Sequence, residues 1–325
     1  MYKYEDLGLV NTNEMFKDAY KNNYAVPAFV FISIEQLNAI IDAAIAKESP
    51  VIMLASPNLL EQIGKEMVAN LAKAAVERVA NSGKKIPLVL HLDHGKSFEQ
   101  CVEAIDSGFS SVMIDGSTLP FEENIALTKK VVDYAHKRNV TVEGELGVFS
   151  GAEESLYDES KAEAEYTDPA MVKEFVEKTG VDSLAISIGT NHGLVKMQPK
   201  ADGTLPELRF DILQEVERIL PNFPIVLHGA STIEQKYVDM INQYGGEIKK
   251  SIGTPEDQVA KAVKMAICKV NIATDGWIAA LALTRKILSE NKSAIDSRIF
   301  TLEVRKLLKE IYEHKIELLG SANRI

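Results

Sequence analysis

The sequence predicts an α/β fold, a parallel (β/α)₈ barrel of the TIM type. Three observations point to it: eight short apolar runs, a helix-periodic segment after each, and a length of 325 residues. Continuous apolar strands between amphipathic helices imply a parallel sheet covered on both faces. Eight such units can close on themselves, and α/β barrels often exceed about 200 residues as one domain. A single domain over residues 1–325 is therefore expected. The alternation alone also fits a doubly wound open sheet.

The strands read, in order, Tyr24–Phe29, Val51–Ala55, Leu88–Leu90, Ser111–Ile114, Thr141–Leu146, Ser183–Ile186, Ile225–Leu227 and Lys269–Ile272. The helices between them read Ile34–Lys47, Leu59–Ser82, Phe98–Ile105, Phe121–Arg138, Pro169–Thr179, Arg209–Leu220, Ile233–Tyr244 and Gly276–Asn291. Three stretches exceed a minimal barrel. Phe149–Thr167 is polar and Glu-rich, a long loop after strand five. Gly245–Glu256 is an insertion with Gly and Lys, and Arg298–Leu319 is an extra amphipathic C-terminal helix, a candidate subunit contact.

Hydrophobic residues make up 46% of the chain, ample for a large core, and the net charge is −11. That balance argues against general binding to nucleic acid or anionic membranes. An acidic protein acting on an anion must gather positive charge locally. Cys101 and Cys268 are too few for a disulfide framework and read as reduced core residues. The first residues carry no apolar signal core, and no apolar run approaches the ~20 residues of a membrane span. A cytoplasmic location is expected.

Of six histidines, His136 and His314 fall within helical runs and read as packing or surface residues. The other four stand at strand ends: His91 and His94 after strand three, His192 after strand six, His228 after strand seven. In a barrel these positions ring the C-terminal mouth, where active sites form. A lone histidine is more often a hydrogen-bonded core residue. Three of them, each followed by glycine and each from a different strand, suit a zinc site with an open position. His94, His192 and His228 are the candidate ligands, and His91, earlier on its strand, is expected to point into the barrel. No His-Glu-x-x-His helix supports a protease reading.

Carboxylates join them. Asp93 precedes a candidate ligand and should reach metal-bound substrate. Asp115 ends strand four. Glu143 and Glu145 share one face of strand five, placed to orient ligands or hold a second cation, with a strand-end ion-pair network as the plain reading. Glu153 and Glu154 lie on the long loop, where a solvated charge run is the default. Gly193, Lys196, Gly229, Ala230, Ser231, Asn271 and Thr274 supply small residues, hydroxyls and a cation after strands six to eight, a combination suited to a phosphate.

His-Leu-Asp-His-Gly, Val-Glu-Gly-Glu-Leu-Gly, Gly-Thr-Asn-His-Gly, Leu-His-Gly-Ala-Ser and Lys-Val-Asn-Ile-Ala-Thr-Asp occur in this order. With Ala-Val-Pro-Ala-Phe, Met-Ile-Asp-Gly-Ser and Asp-Ser-Arg, the linked set resembles the class II fructose-bisphosphate aldolases, the branch that includes tagatose-bisphosphate aldolases, over nearly the whole chain. The resemblance implies Zn²⁺, with Co²⁺ able to substitute, held by His94, His192 and His228. It makes Asp93 the acid/base at the C4 hydroxyl and Glu154 the loop carboxylate that moves the proton at C3. Gly193, Lys196, Gly229, Ser231, Asn271 and Thr274 match positions that hold the C1 phosphate, with Ser56 beside it. A monovalent cation near that phosphate is common in the family. Arg298 matches an arginine offered to the C6 phosphate by a neighbouring subunit, which implies a homodimer or homotetramer.

The chemistry is coherent without the name. Cleaving a ketose between C3 and C4 leaves negative charge that a Lewis acid stabilises, while one group removes the C4 hydroxyl proton and another later protonates C3. Three positions depart from the pattern: Val30 stands where the family has Asn, Ala273 where it often has Asp, and Trp277 where it often has Arg. Either Arg298 or Arg285 compensates, or specificity at the C4–C6 end has changed, toward tagatose bisphosphate, a ketose 1-phosphate or another aldehyde. Two other readings stand beside the lyase. A sugar epimerase on the same scaffold would release no triose phosphate, and a non-enzymatic module would not need to keep Asp93 or the three histidines.

Overall fold

The computed structural model describes residues 2–149 and 165–325, and within them the sheet closes. Strands β1 (Val26–Val30), β2 (Val51–Ala55), β3 (Leu88–Gly95), β4 (Ser111–Ile114), β5 (Thr141–Leu146), β6 (Ser183–Ile186), β7 (Ile225–Leu227) and β8 (Ile267–Ile272) pair in sequence order, all parallel, with β8 returning to β1. The open-sheet alternative is thereby excluded. Around the barrel run α2 (Ile34–Lys47), α3 (Pro57–Ile63), α4 (Lys65–Asn81), α5 (Phe98–Asp106), α6 (Phe121–Ala135), α7 (Pro169–Thr179), α8 (Phe210–Ile219), α9 (Gln235–Gln243), α10 (Glu256–Val263), α11 (Thr274–Glu290) and α12 (Arg298–Leu318), with α1 (Asn13–Asn22) preceding the first strand.

Period-two alternation sorts the strands into two cores. Phe29, Val51, Met53, Leu88, Leu90 and Leu92 face outward beneath the helices. Val26, Ala28, Val30, Ile52, Leu54 and Val89 face the barrel interior. The interior is completed by Met15, Phe16 and Ala19 of α1, a helix the sequence reading missed. It is ten residues long and mostly polar, with only those three residues buried. Burying Phe16 is worth about 1.5–3 kcal/mol.

Four of the helices begin on a side-chain cap. Ser33, Ser56, Ser97 and Asp168 accept hydrogen bonds from the backbone N–H of Gln36, Leu59, Gln100 and Ala170. Each such cap contributes about 1 kcal/mol. The segment expected as one helix over Leu59–Ser82 is two, broken at Gly64, whose φ of 84° lies in the left-handed region. The insertion expected over Gly245–Glu256 ends in α10, whose start its polar first turn concealed.

The C-terminal helix has a role inside the chain. α12 packs on α2, α11 and β1, burying Val304, Leu308, Ile311, Tyr312 and Ile316. The Tyr312 ring meets Phe29 at 4.5 Å between centroids. Leu302 stays exposed on its other face. Among the described residues no helix is long and apolar enough to cross a membrane. Cys101 and Cys268 are buried free thiols, and burial pushes each up to about 12, so neither is a reactive thiolate near neutral pH.

Candidate active site

At the C-terminal mouth, β3 breaks the rule of alternation. His91 and Asp93 share its inward face, so His94 would ordinarily point outward. A register shift against β4 between Leu92 and Gly95, with His94 at φ 50°, turns that side chain inward as well. A non-glycine residue in this conformation is costly and is found chiefly where function over-determines it. The bulge brings two consecutive residues, Asp93 and His94, to one site.

His94, His192 and His228 converge. Their ring centroids lie 4.8 Å apart for His94 and His228, 5.3 Å for His94 and His192, and 6.1 Å for His192 and His228. One nitrogen of each lies within 4.8 Å of the others. Burial, then the neighbouring imidazoles, hold His192 well below the ordinary histidine range, in its neutral, ligating form. His228 Nδ1 and Glu145 Oε2 face each other at 3.2 Å. Burial works against a proton on His228, but Glu143 and Glu145 outweigh it. The same negative field favours a divalent cation, so the residues present fit one.

Two of the rings are braced by carboxylates. His94 Nδ1 lies 3.0 Å from Asp115 Oδ2, and Asp115 also pairs with Lys96 and accepts hydrogen bonds from the N–H and hydroxyl of Ser117. Burial disfavours charge on Asp115, yet His94 and Lys96 hold it far below the usual carboxylate range. His228 Nε2 lies 3.1 Å from Glu143 Oε1, whose other oxygen accepts from Lys269 Nζ at 2.7 Å. That contact leaves Nδ1 of His228, beside Glu145, as the ring's other nitrogen. Removing the brace should loosen the metal: Glu143→Gln is expected to weaken Zn²⁺ affinity about 10–100-fold. Competition against a chromophoric chelator checks this, and unchanged affinity would show that the ring needs no such support.

His94, Asp115 and Glu145 also offer ligand atoms within 4.8 Å of one another, a second cation-compatible group that shares His94. Glu145 is fully buried, and burial followed by Asp115 raises its carboxyl above the usual range. His91 sits deeper, its Nδ1 2.8 Å from Ser111 Oγ and its Nε2 3.5 Å from Lys269 Nζ. Burial and Lys269 lower it to about 3, so it stays neutral.

Asp93 is buried and accepts a hydrogen bond from Asn271 Nδ2 at 3.0 Å. The turns after β6 and β7 are built of glycines and small side chains. Gly193 and Gly229 have φ of 74° and 66°. A Cβ on Gly229 would sit 2.5 Å from the Asn191 carbonyl oxygen, so close approach as well as conformation requires glycine there. Val195 bridges Ile252, while Thr254 donates to the Gly229 and Ser231 carbonyls at 2.9 and 3.0 Å. Lys196, Ser231, Asn271, Thr274 and Ser56 are all buried. Ser231 Oγ accepts from the Ala273 N–H at 3.4 Å, at the N-terminus of α11, whose dipole favours an anion.

The remaining positions divide. Glu153 and Glu154 lie outside the described residues. Arg298 is exposed and pairs with Asp296. Trp277 and Ala273 pack against the interior cluster that contains Val30. Arg285 points toward Gly245, its Nη1 3.9 Å from the Cβ position there, two helical turns beyond Trp277, so it does not replace an arginine at Trp277. Two residues were missed. Lys269 is a charge in an apolar strand, two residues before Asn271, and that spacing signals an inward group. Phe149 stacks on His192 at 5.2 Å and 15° and leans on His228 at 5.5 Å, with no sequence signal beyond its place after β5.

Known proteins show the same arrangement of chain and fold. The family model described as fructose-bisphosphate aldolase class-II matches residues 10–324. The fructose-bisphosphate aldolase of Treponema pallidum (strain Nichols) is 50% identical over 334 aligned positions, covering 100% of each chain. That of Helicobacter pylori (strain ATCC 700392 / 26695) is 41% identical over 317, covering 98% of this chain and 100% of the other. A crystal structure of the YdjI aldolase from Escherichia coli superposes with a TM-score of 0.72 at 31% identity, over 97% of this chain and 99% of that one. The closed barrel and the match along almost its entire length make this chain a member of the class II fructose-bisphosphate aldolase family.

Proposed function

We propose that the protein cleaves fructose 1,6-bisphosphate reversibly between C3 and C4, with Zn²⁺, to give dihydroxyacetone phosphate and glyceraldehyde 3-phosphate. Class II aldolases are lyases that use a divalent metal and act on phosphorylated sugars, and this chain is one of them. The observation that carries the finer reading is the convergence of three imidazoles, one of them next in sequence to the buried Asp93.

His94, His192 and His228 would hold the zinc ion. When bound, it supplies a Lewis acid that stabilises the negative charge left by bond cleavage. Asp93 takes the proton from the C4 hydroxyl, oriented by the Asn271 amide on its Oδ1. Glu154 returns a proton at C3. Gly193, Lys196, Gly229, Ser231, Asn271 and Thr274, with Ser56, hold the C1 phosphate, and a monovalent cation completes that site. Asp115 and Glu145 serve a second cation position. Phe149 shields two of the imidazoles from water. Arg298 reaches the C6 phosphate of a neighbouring subunit, so the working form is a homodimer or homotetramer, located in the cytoplasm. The exposed position of Arg298 supports delivery to another copy. The whole chain acts as one domain.

Release of dihydroxyacetone phosphate from fructose, tagatose, sorbose and xylulose phosphates tests the reading. Fructose 1,6-bisphosphate should be cleaved fastest, in a reaction abolished by EDTA and restored by Zn²⁺ or Co²⁺. Activity in verified metal-free protein would refute the mechanism, and epimerised product without triose phosphate would point to an epimerase. Apolar Val30 and Trp277 at the mouth favour a second reading, a tagatose or ketose 1-phosphate substrate. Under it, Trp277→Arg raises kcat/KM on fructose 1,6-bisphosphate by about tenfold or more, as a new charged hydrogen bond would. An unchanged value would place Trp277 outside the C6 site.

A further inference from the structure

The turn after Ser231 is held in a conformation its sequence disfavours. Ile233 is buried and β-branched, yet its φ is 44°. Such a residue stays in the left-handed region only when its surroundings over-determine it. Here the surroundings come from three distant parts of the chain.

Asp275, in the first turn of α11, accepts the Ile233 N–H on Oδ1 at 2.7 Å. The Thr232 N–H lies 3.1 and 3.2 Å from its two oxygens. Lys315, buried on α12, donates to Thr232 Oγ1 at 2.5 Å, and its Nζ lies 3.5 Å from Asp275 Oδ2 and 3.0 Å from Glu256 Oε1. On the other side, Gly253 packs so tightly that a Cβ there would sit 1.7 Å from the Thr232 carbonyl oxygen. Upstream, Thr254 holds the Gly229 and Ser231 carbonyls. The Gly229–Ser231 segment is thus strung between two clamps, and the downstream clamp is a buried ion pair whose hydrogen bonds go to the turn itself.

We propose that Asp275 and Lys315 are positioning residues for phosphate binding. They lock the Thr232–Ile233 turn and so hold Gly229–Ser231 in the shape that grips the anion, without touching the sugar. This rests on the reading of Gly229–Ser231 as part of the phosphate site. It also gives the C-terminal helix a part in substrate affinity, since Lys315 reaches the turn from outside the barrel. A buried pair kept only for stability could be weakened without changing phosphate affinity in the folded protein.

The test uses the full zinc-loaded chain and compares Asp275→Ala, Lys315→Met, the conservative Asp275→Asn and Ser231→Ala. The measured quantities are kcat, KM for the bisphosphate, and Kd for inorganic phosphate by titration calorimetry. Asp275→Ala and Lys315→Met should each raise KM and the phosphate Kd about tenfold or more, with kcat within about threefold. Asp275→Asn keeps an acceptor oxygen for the Ile233 N–H and should recover most of the affinity. If Asp275→Ala fails to fold, Lys315→Met decides. The proposal is overturned if Lys315→Met folds with unchanged phosphate Kd while Ser231→Ala weakens it, since the site would then be right and the clamp idle. Unchanged affinity in Ser231→Ala as well would remove the phosphate reading and the proposal with it.

Discussion

Replacing His228 by alanine should strip the zinc and lower turnover by more than about 10³-fold, because the Lewis acid contributes several kcal/mol and each 1.36 kcal/mol is tenfold. His228 stands between Glu143 and Glu145, with its ring 4.8 Å from that of His94 and 6.1 Å from that of His192. Without it two imidazoles remain, and the braced carboxylate Glu143 loses the group it orients while keeping Lys269. The barrel should therefore persist, since Glu143 is not left as an unpaired buried charge. Metal content by mass spectrometry and turnover are read on the same sample. A variant that kept stoichiometric zinc would show that His228 is not a ligand.

Asp93→Ala should give the complementary result. Zinc stays bound, and turnover falls about 10²–10⁴-fold, the range for a lost general acid or base. Asp93 is one residue from His94, yet the two reach the site by different means, Asp93 by the ordinary inward face of β3 and His94 by the bulge and its positive φ. Asp93 bonds to Asn271, so its loss also frees that amide from its carboxylate partner. Equal zinc loss in Asp93→Ala and His228→Ala would mean that Asp93 supports the metal rather than the proton transfer.

The contrast between these neighbours shows what was legible in the amino-acid order. Eight strands and most of their helices follow from periodicity, and every strand is found where it was expected or within a few residues of it. The three histidines were legible because glycines and strand ends mark the mouth. The bulge was not, since nothing local in Asp-His-Gly announces a register shift. α1 and α10 were missed because each is short and polar on balance, with only three buried residues to mark it. Lys269 and Phe149 gain meaning only once β8 and the turn after β5 are brought around the barrel. The strain at Ile233 is likewise invisible in sequence, because Asp275 and Lys315 reach it from 42 and 82 positions away.

If His94, His192 and His228 meet at one divalent ion, zinc-edge X-ray absorption on the reconstituted protein will detect it. It should show three imidazole nitrogens at about 2.0–2.1 Å, with one contribution lost or the zinc absent in His228→Ala. A shell of oxygens alone, or fewer than three imidazoles in the wild-type chain, would contradict it.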